Sequence, residues 1–215
     1  MKIWICAYRP WALEVFEDVN TNINNVELIE TKLEFDRSLR LFSKNDILFF
    51  IGWSWIISDN IVNKFNCICM HPSPLPKYRG GSPIQNQIIN GESISAVTFF
   101  RMTEKLDAGN ILWQRVFSLK DNLNDINFRV KALTLSGIFD ILNNNYDEYA
   151  QLESNVTYFK RRTPSQSEIS INEINTSGAK QLHDKVRCLQ DPYPNAFIVC
   201  ADGKKLYIKL TDYEK

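Results

Sequence analysis

The sequence predicts an α/β protein with a mostly parallel sheet, flanking helices and a small C-terminal lobe. Three observations support this class: apolar runs recur along the first part of the chain, helical stretches separate them, and a loop rich in proline and glycine follows one of them. The runs are rich in β-branched and aromatic residues and cover residues 3–7, 26–29, 47–51 and 67–70. Strands buried on both faces of a parallel sheet have this composition.

The segments between and after these runs have helical or strand signals of their own. Residues 11–19 follow Pro10, and residues 83–89 begin with Pro83 after Ser82, a combination typical of helix starts. Residues 124–142 carry apolar side chains at near-helical spacing and predict an amphipathic helix over the sheet. Two more strands are expected at 96–101 and 111–117, and the polar loop between them, 103–110, is too long for a tight hairpin. Loops of that kind often carry function.

We expect two units: a catalytic domain over residues 1–150 and a small lobe over residues 151–215. The lobe has a predicted helix with Ala179, Leu182, Val186 and Leu189 on one face. Its last part, 195–210, contains Ala201-Asp202-Gly203 between two apolar stretches, which predicts a β-hairpin. The edge of that hairpin is a candidate surface for a twofold homodimer.

Composition excludes several classes of protein. The 25 basic and 25 acidic residues cancel, so the chain has no overall positive field for a nucleic acid. No apolar run approaches the roughly 20 residues of a membrane span, and no cleavage signal follows the first run, so we expect a cytoplasmic protein. The five cysteines lack a disulfide pattern, and two histidines with Cys67 and Cys69 do not match a zinc site. We therefore expect no metal.

The densest cluster of unusual residues is the loop 71–85, directly after a predicted strand. Pro72, Pro74 and Pro76 restrict its backbone, and Gly80 and Gly81 allow a ligand to approach the chain closely. In open α/β sheets, ligands bind outside the carboxyl ends of the strands, where this loop is expected to lie.

The loop and a second motif resemble the folate-dependent formyltransferase family, which includes methionyl-tRNA formyltransferases and sugar nucleotide N-formyltransferases. The family pattern is Asn-x-His-Pro-Ser-x-Leu-Pro-x-x-Arg-Gly, followed by Leu-Asp-x-Gly, and here Asp107 of the second motif comes 36 residues after His71. Residues 158–164 and 191–197 are similar to segments that follow the catalytic domain in family members. The resemblance implies a Rossmann-like sheet and 10-formyltetrahydrofolate as the formyl donor.

By this resemblance, the catalytic residues are His71, Asp107 and Cys69. His71 is expected to take the proton of the attacking amine or to stabilise the oxyanion, and Asp107 to hold its tautomer. Cys69 stands where most of the family has an asparagine that donates to the oxyanion. A thiol is only a weak donor, so we expect less activity than an asparagine would give.

The resemblance also implies two sets of binding residues. The folate is expected to contact Asp107 and the segment Trp53, Ser54, Trp55 and Ile56, largely through its backbone. Basic and aromatic groups in the loop and at the start of the lobe are expected to bind the phosphates and the base of a nucleotide. This acceptor set comprises Ser73, Pro76, Lys77, Tyr78, Arg79, Gly80, Gly81, Gln85, Tyr158, Phe159, Arg161 and Arg162.

The expected acceptor is a nucleotide-linked amino deoxysugar, N-formylated for surface glycan (lipopolysaccharide, O-antigen) synthesis. The absence of net charge favours a small acceptor, and the chain stops before the further C-terminal β-barrel domain that is typical of methionyl-tRNA formyltransferases. Two alternatives stay open: a truncated methionyl-tRNA formyltransferase, and a catalytically weak folate-binding homologue.

Overall fold

The computed structural model describes residues 1–214, and its centre is a six-stranded sheet. The strand order is β2-β1-β3-β4-β6-β7; the first four strands are parallel, and β6 and β7 add in antiparallel fashion. The bounds are β1 Ile3–Cys6, β2 Val26–Ile29, β3 Ile47–Ile51, β4 Asn66–His71, β6 Ile94–Arg101 and β7 Ile111–Ser118. The two-residue strand β5, Arg79–Gly80, comes between β4 and β6 along the chain but is not part of this sheet.

Successive residues of the central strands face opposite sides of the sheet, and each side has its own core. Ile5, Phe49 and Met70 belong to one core, whereas their neighbours Cys6 and Phe50 belong to the other. Because both faces are covered, these strands are apolar at nearly every position, which explains the continuous runs in the sequence.

Seven helices accompany the sheet in the described part of the chain. Helices α1, α4, α5 and α7 contribute side chains to the larger core, and α2 and α3 contribute to the smaller one. The bounds are α1 Pro10–Asn22, α2 Lys32–Ser38, α3 Asp59–Val62, α4 Pro83–Ile89, α5 Leu123–Leu142, α6 Ile171–Thr176 and α7 Ala179–Cys188.

The structure confirms the predicted class: each predicted strand and helix is present within three residues of its expected bounds. Three helices, α2, α3 and α6, were not predicted. Helix α2 has a complete capping box, in which the Thr31 side chain accepts from the Glu34 backbone and the Glu34 carboxylate accepts from the Thr31 N–H. The residues Thr31-Lys32-Leu33-Glu34 are the sequence signature of that box and could have revealed the helix.

The C-terminal segment packs on the sheet domain and continues its core. Strand β8, Tyr158–Phe159, pairs in parallel with β5, and β9, Ala196–Val199, forms the predicted hairpin with β10, Lys205–Ile208. Val186, Cys188 and Ala196 belong to the same core as α1 and α5. The division at residue 150 stays a prediction, because side chains from both sides of it share one core.

No helix within residues 1–214 is both long and apolar enough to cross a membrane. All five cysteines are free thiols. The same range contains no group of three or more histidine, cysteine or acidic side chains arranged to hold a metal ion.

Candidate active site

The site begins at the carboxyl end of β4, where Cys69 and His71 project to the same side as alternate residues of one strand. His71 is 7% exposed and Cys69 is half-buried. Within the sheet, β4 pairs with β6, where Thr98 is opposite His71 and Phe100 is opposite Cys69. The sheet register therefore fixes the positions of both side chains.

The His71 ring is held between a carbonyl and a carboxylate. Its Nε2 lies 2.8 Å from the Tyr78 carbonyl oxygen, and its Nδ1 lies 3.9 Å from Oδ2 of Asp107. A carbonyl only accepts hydrogen bonds, so Nε2 carries a proton and Nδ1 of the neutral ring is unprotonated. The Tyr78 carbonyl thus sets the tautomer, which corrects the expectation that Asp107 holds it directly, because 3.9 Å is too long for a hydrogen bond.

Asp107 is positioned by the backbone of the loop 71–85. Its Oδ2 accepts a 2.7 Å hydrogen bond from the Gly80 N–H, and its side chain is only 11% exposed. Asp107 itself has a φ of 51°, in the left-handed region that is rare for residues other than glycine. Uncommon backbone conformations of this kind cluster at functional sites.

The proline-containing loop 71–85 is held by a hydrogen bond within it and by another from β6. The Ser73 hydroxyl donates to the Lys77 carbonyl, and the Thr98 hydroxyl donates to the Ser73 carbonyl. Ser73 is fully buried, whereas Lys77 is exposed and Pro76 is half-buried. Ser73 therefore acts within the loop, and Lys77 is the member of this part of the predicted acceptor set that faces solvent.

Gly80 and Gly81 are needed for a reason other than the expected one. A Cβ on Gly80 would lie 2.2 Å from the Phe159 carbonyl oxygen, and a Cβ on Gly81 would lie 2.4 Å from Cα of Arg161. Gly80 also has a φ of 96°. The close approach at these glycines is thus to β8 and the residues that follow it in the same chain, and the approach of a ligand stays a prediction.

Arg79 is buried and bonded inside the protein. It is 2% exposed; its Nε and Nη2 both donate to Oε1 of Gln151, at 3.1 and 2.7 Å, and its Nη1 donates to the Tyr158 hydroxyl. This guanidinium does not face open space, so the structure favours a packing role over the predicted phosphate contact.

Gln151 is a site residue that sequence reasoning missed. Its Nε2 donates to the carbonyls of Asp107 and Gly109, at 2.9 and 2.8 Å, while its Oε1 accepts from Arg79. One buried amide therefore joins the two motif loops. No signal in the sequence distinguishes this glutamine, because its partners come together only in the fold.

The aromatic residues of β8 have partners from the loop. Phe159 stacks on Tyr78 with 4.9 Å between ring centroids and 13° between the planes. The Tyr78 hydroxyl donates to Glu92, and burial followed by that hydrogen bond raises the pKa of Tyr78. Tyr158 remains 57% exposed, so it is the better placed of the two to stack on a base.

Gln85 and Arg162 lie beside the loop. Gln85 is 1% exposed, and its Nε2 has no hydrogen-bond partner within the described residues. The Arg162 N–H donates to the Ser82 hydroxyl, and its Nη2 donates to the Gln166 carbonyl. Arg162 thus joins the lobe to the start of helix α4, where Gln85 is a buried member of the helix.

Cys69 is a neutral thiol in this site. Burial raises its pKa well above the ordinary value, and the nearby Asp107 and Cys67 add to the effect. Its Sγ has one weak contact, 3.7 Å to the Met70 carbonyl. A thiol with a raised pKa is a poor nucleophile, which agrees with a small apolar role for this side chain.

The segment after β3 offers an unpaired backbone and an aromatic surface. Within the described chain, none of the N–H groups of residues 53–57 donates to another backbone carbonyl. The Trp53 ring lies 4.6 Å from Trp55, and its buried Nε1 has no partner there. Ile56 is 87% exposed. Free amide groups beside aromatic rings fit a flat heterocycle with hydrogen-bonding edges, such as a pterin.

Ser54 has a different environment from its neighbours. Its hydroxyl contacts the Tyr8 hydroxyl at 2.6 Å and accepts from Arg161 at 3.0 Å and from Arg9 at 3.4 Å. Tyr8 and Arg9 follow β1 and were not among the predicted site residues. The dipeptide carries no motif of its own, and the sheet order alone brings it beside the end of β3.

Two cavities lie away from this constellation. One of about 360 Å³ is lined by residues of the lobe, including Pro192, Tyr193 and Tyr207. The other, of about 330 Å³, lies between β7 and the segment after α5. Neither of these two cavities is lined by His71 or Asp107.

Known proteins that are similar to this chain share one family description. The family model described as Formyl transferase matches residues 15–142. Methionyl-tRNA formyltransferase from Ehrlichia canis (strain Jake) is 30% identical over 205 residues, which cover 93% of this chain and 64% of the relative. The chain spans only 54–64% of the length of this and two other Ehrlichia methionyl-tRNA formyltransferases that it matches.

Two solved structures show the same fold. The structure of methionyl-tRNA formyltransferase from Clostridium thermocellum has a TM-score of 0.84 at 26% identity and covers 97% of both chains. An N-formyltransferase from Helicobacter canadensis, solved with folinic acid and dTDP-3-aminofucose, has a TM-score of 0.65 at 23% identity, covering 87% of this chain and 80% of that one. With the family match over more than half of its residues, this chain belongs to the formyl transferase family.

Proposed function

We propose that this protein transfers the formyl group of 10-formyltetrahydrofolate to the amine of a nucleotide-linked amino sugar. The observation that carries the proposal is the pairing of His71 and Asp107 at the carboxyl edge of β4. There, Nδ1 of His71 has no hydrogen-bond partner among residues 1–214 and faces a carboxylate 3.9 Å away. An unprotonated ring nitrogen in such a position suits a general base.

In this proposal, the amine nitrogen bonds to the formyl carbon, and the bond between that carbon and N10 of the folate breaks. Nδ1 of His71 accepts the proton that the amine loses and returns a proton to N10. The Tyr78 carbonyl keeps the other ring nitrogen protonated throughout. Asp107, held by the Gly80 N–H, stabilises the imidazolium that forms in between.

The residues around β3 are proposed to bind the folate. The unpaired N–H groups of residues 53–57 and the partnerless Trp53 Nε1 are suitable donors for the edge of a pterin. Asp107 is proposed to contact the folate as well as the imidazole, since it lies between the two motif loops. No step of the proposed reaction calls for a metal.

For the acceptor, three observations support a small nucleotide-linked sugar. The chain has no net charge, Tyr158 is exposed beside the loop, and the Helicobacter canadensis relative was solved with a dTDP-linked aminosugar. A formylated nucleotide sugar is an activated building block, in keeping with a role in surface glycan synthesis.

The test is mass spectrometry of a panel of nucleotide-linked 3-amino and 4-amino deoxysugars, incubated with the protein and 10-formyltetrahydrofolate. We expect one member of the panel to gain the mass of one formyl group. Absence of conversion across the panel would contradict the acceptor proposal.

Methionyl-tRNA is the second candidate acceptor, because the Ehrlichia relatives that are 30–33% identical are methionyl-tRNA formyltransferases. Formylation of methionyl-tRNA, with binding that weakens steeply as salt rises, would favour it. Folate binding without turnover that Cys69→Asn restores would instead favour a weak folate-binding homologue.

We also propose that the β9–β10 hairpin pairs in a twofold homodimer. Val199, Leu206 and Tyr207 are 49–56% exposed on this hairpin, and a second copy would cover them. Light scattering at working concentration is expected to give twice the monomer mass, and a monomeric mass would contradict the proposal.

A further inference from the structure

A cluster of positive charge lies at the carboxyl edge of the sheet, and its members come from three parts of the chain. Arg9 follows β1, Ser54 follows β3, and Arg161 follows β8. Nη2 of Arg161 and Nη2 of Arg9 both donate to the Ser54 hydroxyl, at 3.0 and 3.4 Å. We call Tyr8, Arg9, Ser54 and Arg161 the arginine cluster.

The Arg9 guanidinium is fixed in place. Its Nε donates to the Gly52 carbonyl at 3.3 Å, and its Cζ lies over the rings of Tyr8 and Tyr193, at 5.2 and 5.9 Å from their centroids. Tyr193 belongs to the lobe, so both halves of the chain hold this side chain. A guanidinium that packs on two rings and is hydrogen-bonded to the backbone is preorganised, and it loses little freedom when it binds a ligand.

Neither guanidinium of the arginine cluster is neutralised by the protein. Across the part of the chain that the structure describes, neither lies within 4.0 Å of a carboxylate oxygen. Arg101, Arg129 and Arg187, by contrast, each have a carboxylate partner. Two positive charges that share one hydroxyl repel each other, and an anion beside them would remove that repulsion.

The arginine cluster has more hydrogen-bond donors than acceptors. A hydroxyl has one proton and two acceptor lone pairs. Ser54 accepts from both arginines, so its own proton goes to the Tyr8 oxygen 2.6 Å away. The phenol proton of Tyr8 then has no acceptor within residues 1–214. A ligand with several acceptor oxygens fits such a group of donors.

The arginine cluster is also close to the reacting end of the site. Arg161 is two residues beyond Phe159, which pairs with Gly80, and the Gly80 N–H holds Asp107. A Cβ on the neighbouring Gly81 would lie 2.4 Å from Cα of Arg161, so the backbones of the two segments are in direct contact.

We propose that Arg9, Arg161 and Tyr8 bind the diphosphate of the nucleotide-linked acceptor. This inference rests on the proposed function and makes it more specific, because it places the phosphates beside β1. Arg161 belongs to the predicted acceptor set, whereas Arg9 and Tyr8 do not. Arg79, which is buried against Gln151, takes no part in this site.

The test is calorimetric titration of the full chain with UDP, dTDP and GDP, and separately with 5-formyltetrahydrofolate. The wild type is expected to bind at least one of the diphosphates. Arg9→Met and Arg161→Met should each weaken that binding by about ten- to a hundred-fold, since each removes a charge-assisted hydrogen bond. The affinity for the folate should stay within about two-fold in both variants, which also reports that they fold.

Arg115→Met is the matched control, because Arg115 is exposed like Arg161 and, like Arg9, lies over an aromatic ring, here Trp113 at 5.3 Å. It is on β7, four strands away from β1 in the sheet. Its diphosphate affinity should equal that of the wild type. Arg9→Lys should keep part of the affinity, because the charge remains while the planar group is lost.

Three results would overturn the inference: no diphosphate binds the wild type, both methionine variants keep its affinity, or they lose affinity for the folate instead. The last result would assign the cluster to the glutamate carboxylates of the folate. The proposed function is judged separately, because diphosphate binding without formyl transfer to any amino sugar would contradict that function and leave the anion site standing.

Discussion

Two regions at the same edge of the sheet differ in how their polar groups are satisfied. Around His71, most polar groups have a hydrogen-bond partner in the chain. The Tyr78 carbonyl bonds to the His71 ring, and the Gly80 N–H and the Gln151 amide both donate to Asp107. In the arginine cluster, Arg9 and Arg161 share a single hydroxyl and have no carboxylate within 4.0 Å in the described structure.

The difference indicates that the two regions have separate functions. A reacting group must be held in one geometry, and the internal bonds of the first region provide that rigidity. A group that binds charge needs donors that the protein leaves unused, and the second region has them. Changes in the first region should therefore act on kcat, and changes in the second on the binding of the acceptor.

The largest effect is expected for His71→Asn. Loss of the general base should lower kcat by about 10²–10⁴-fold, while the affinities for the folate and for the nucleotide stay within about two-fold. His183→Asn is the control, since His183 lies on α7 and bonds to Thr211 away from the site. If His71→Asn kept the wild-type kcat, the catalytic assignment would be wrong.

Gln151→Met should lower kcat by about ten-fold or more, because the Asp107 loop loses the amide that joins it to Arg79. The free energy of unfolding should fall by about 2 kcal/mol, since buried partners are left unsatisfied. Gln151→Glu keeps an acceptor for Arg79 but cannot donate to the two carbonyls, so its kcat should lie in between. Steady-state kinetics and urea unfolding measure both quantities, and a wild-type kcat in Gln151→Met would remove the positioning role.

Cys69→Asn is expected to raise kcat by about ten-fold, because an amide donates to an oxyanion where the thiol donates only weakly. Cys69→Ala is the matched variant and should stay within about two-fold of the wild type. A decrease in kcat for Cys69→Asn would contradict the family-based interpretation of this position.

The smallest effect on activity is expected at Asp46, far from both regions. Burial raises the pKa of Asp46, but hydrogen bonds from the N–H groups of Lys2 and Ser43 and from the Trp4 indole lower it below its ordinary value. Asp46 therefore stabilises the fold above the unfolded-state pKa of about 3.9, and this contribution is lost as pH falls through the lowered folded pKa.

Asp46→Asn should lower the free energy of unfolding by about 1 kcal/mol at pH 7, with kcat unchanged. The difference from the wild type should shrink below about pH 4. Urea unfolding at a series of pH values measures it, and a difference that does not depend on pH would show that the charge of Asp46 contributes nothing.

The sequence predicted the parts of the molecule that follow from local pattern. Apolar runs predicted the strands of the parallel sheet, and the resemblance of two motifs to the formyltransferase family implied that His71 acts together with Asp107. Contacts between distant segments were not predictable in this way. The requirement for Gly80 depends on β8, the function of Gln151 on two loops, and the proximity of Arg9 to Ser54 on the order of strands in the sheet.

The most direct test of these separate functions is steady-state kinetics with the amino sugar nucleotide that the panel identifies. The wild type, His71→Asn and Arg9→Met are compared. The account predicts that His71→Asn lowers kcat with little change in the KM of the acceptor. Arg9→Met should raise that KM by about ten-fold or more and leave kcat within about two-fold. If both substitutions changed kcat alone, the two regions would not have separate functions, and the arginine cluster would belong to the catalytic machinery.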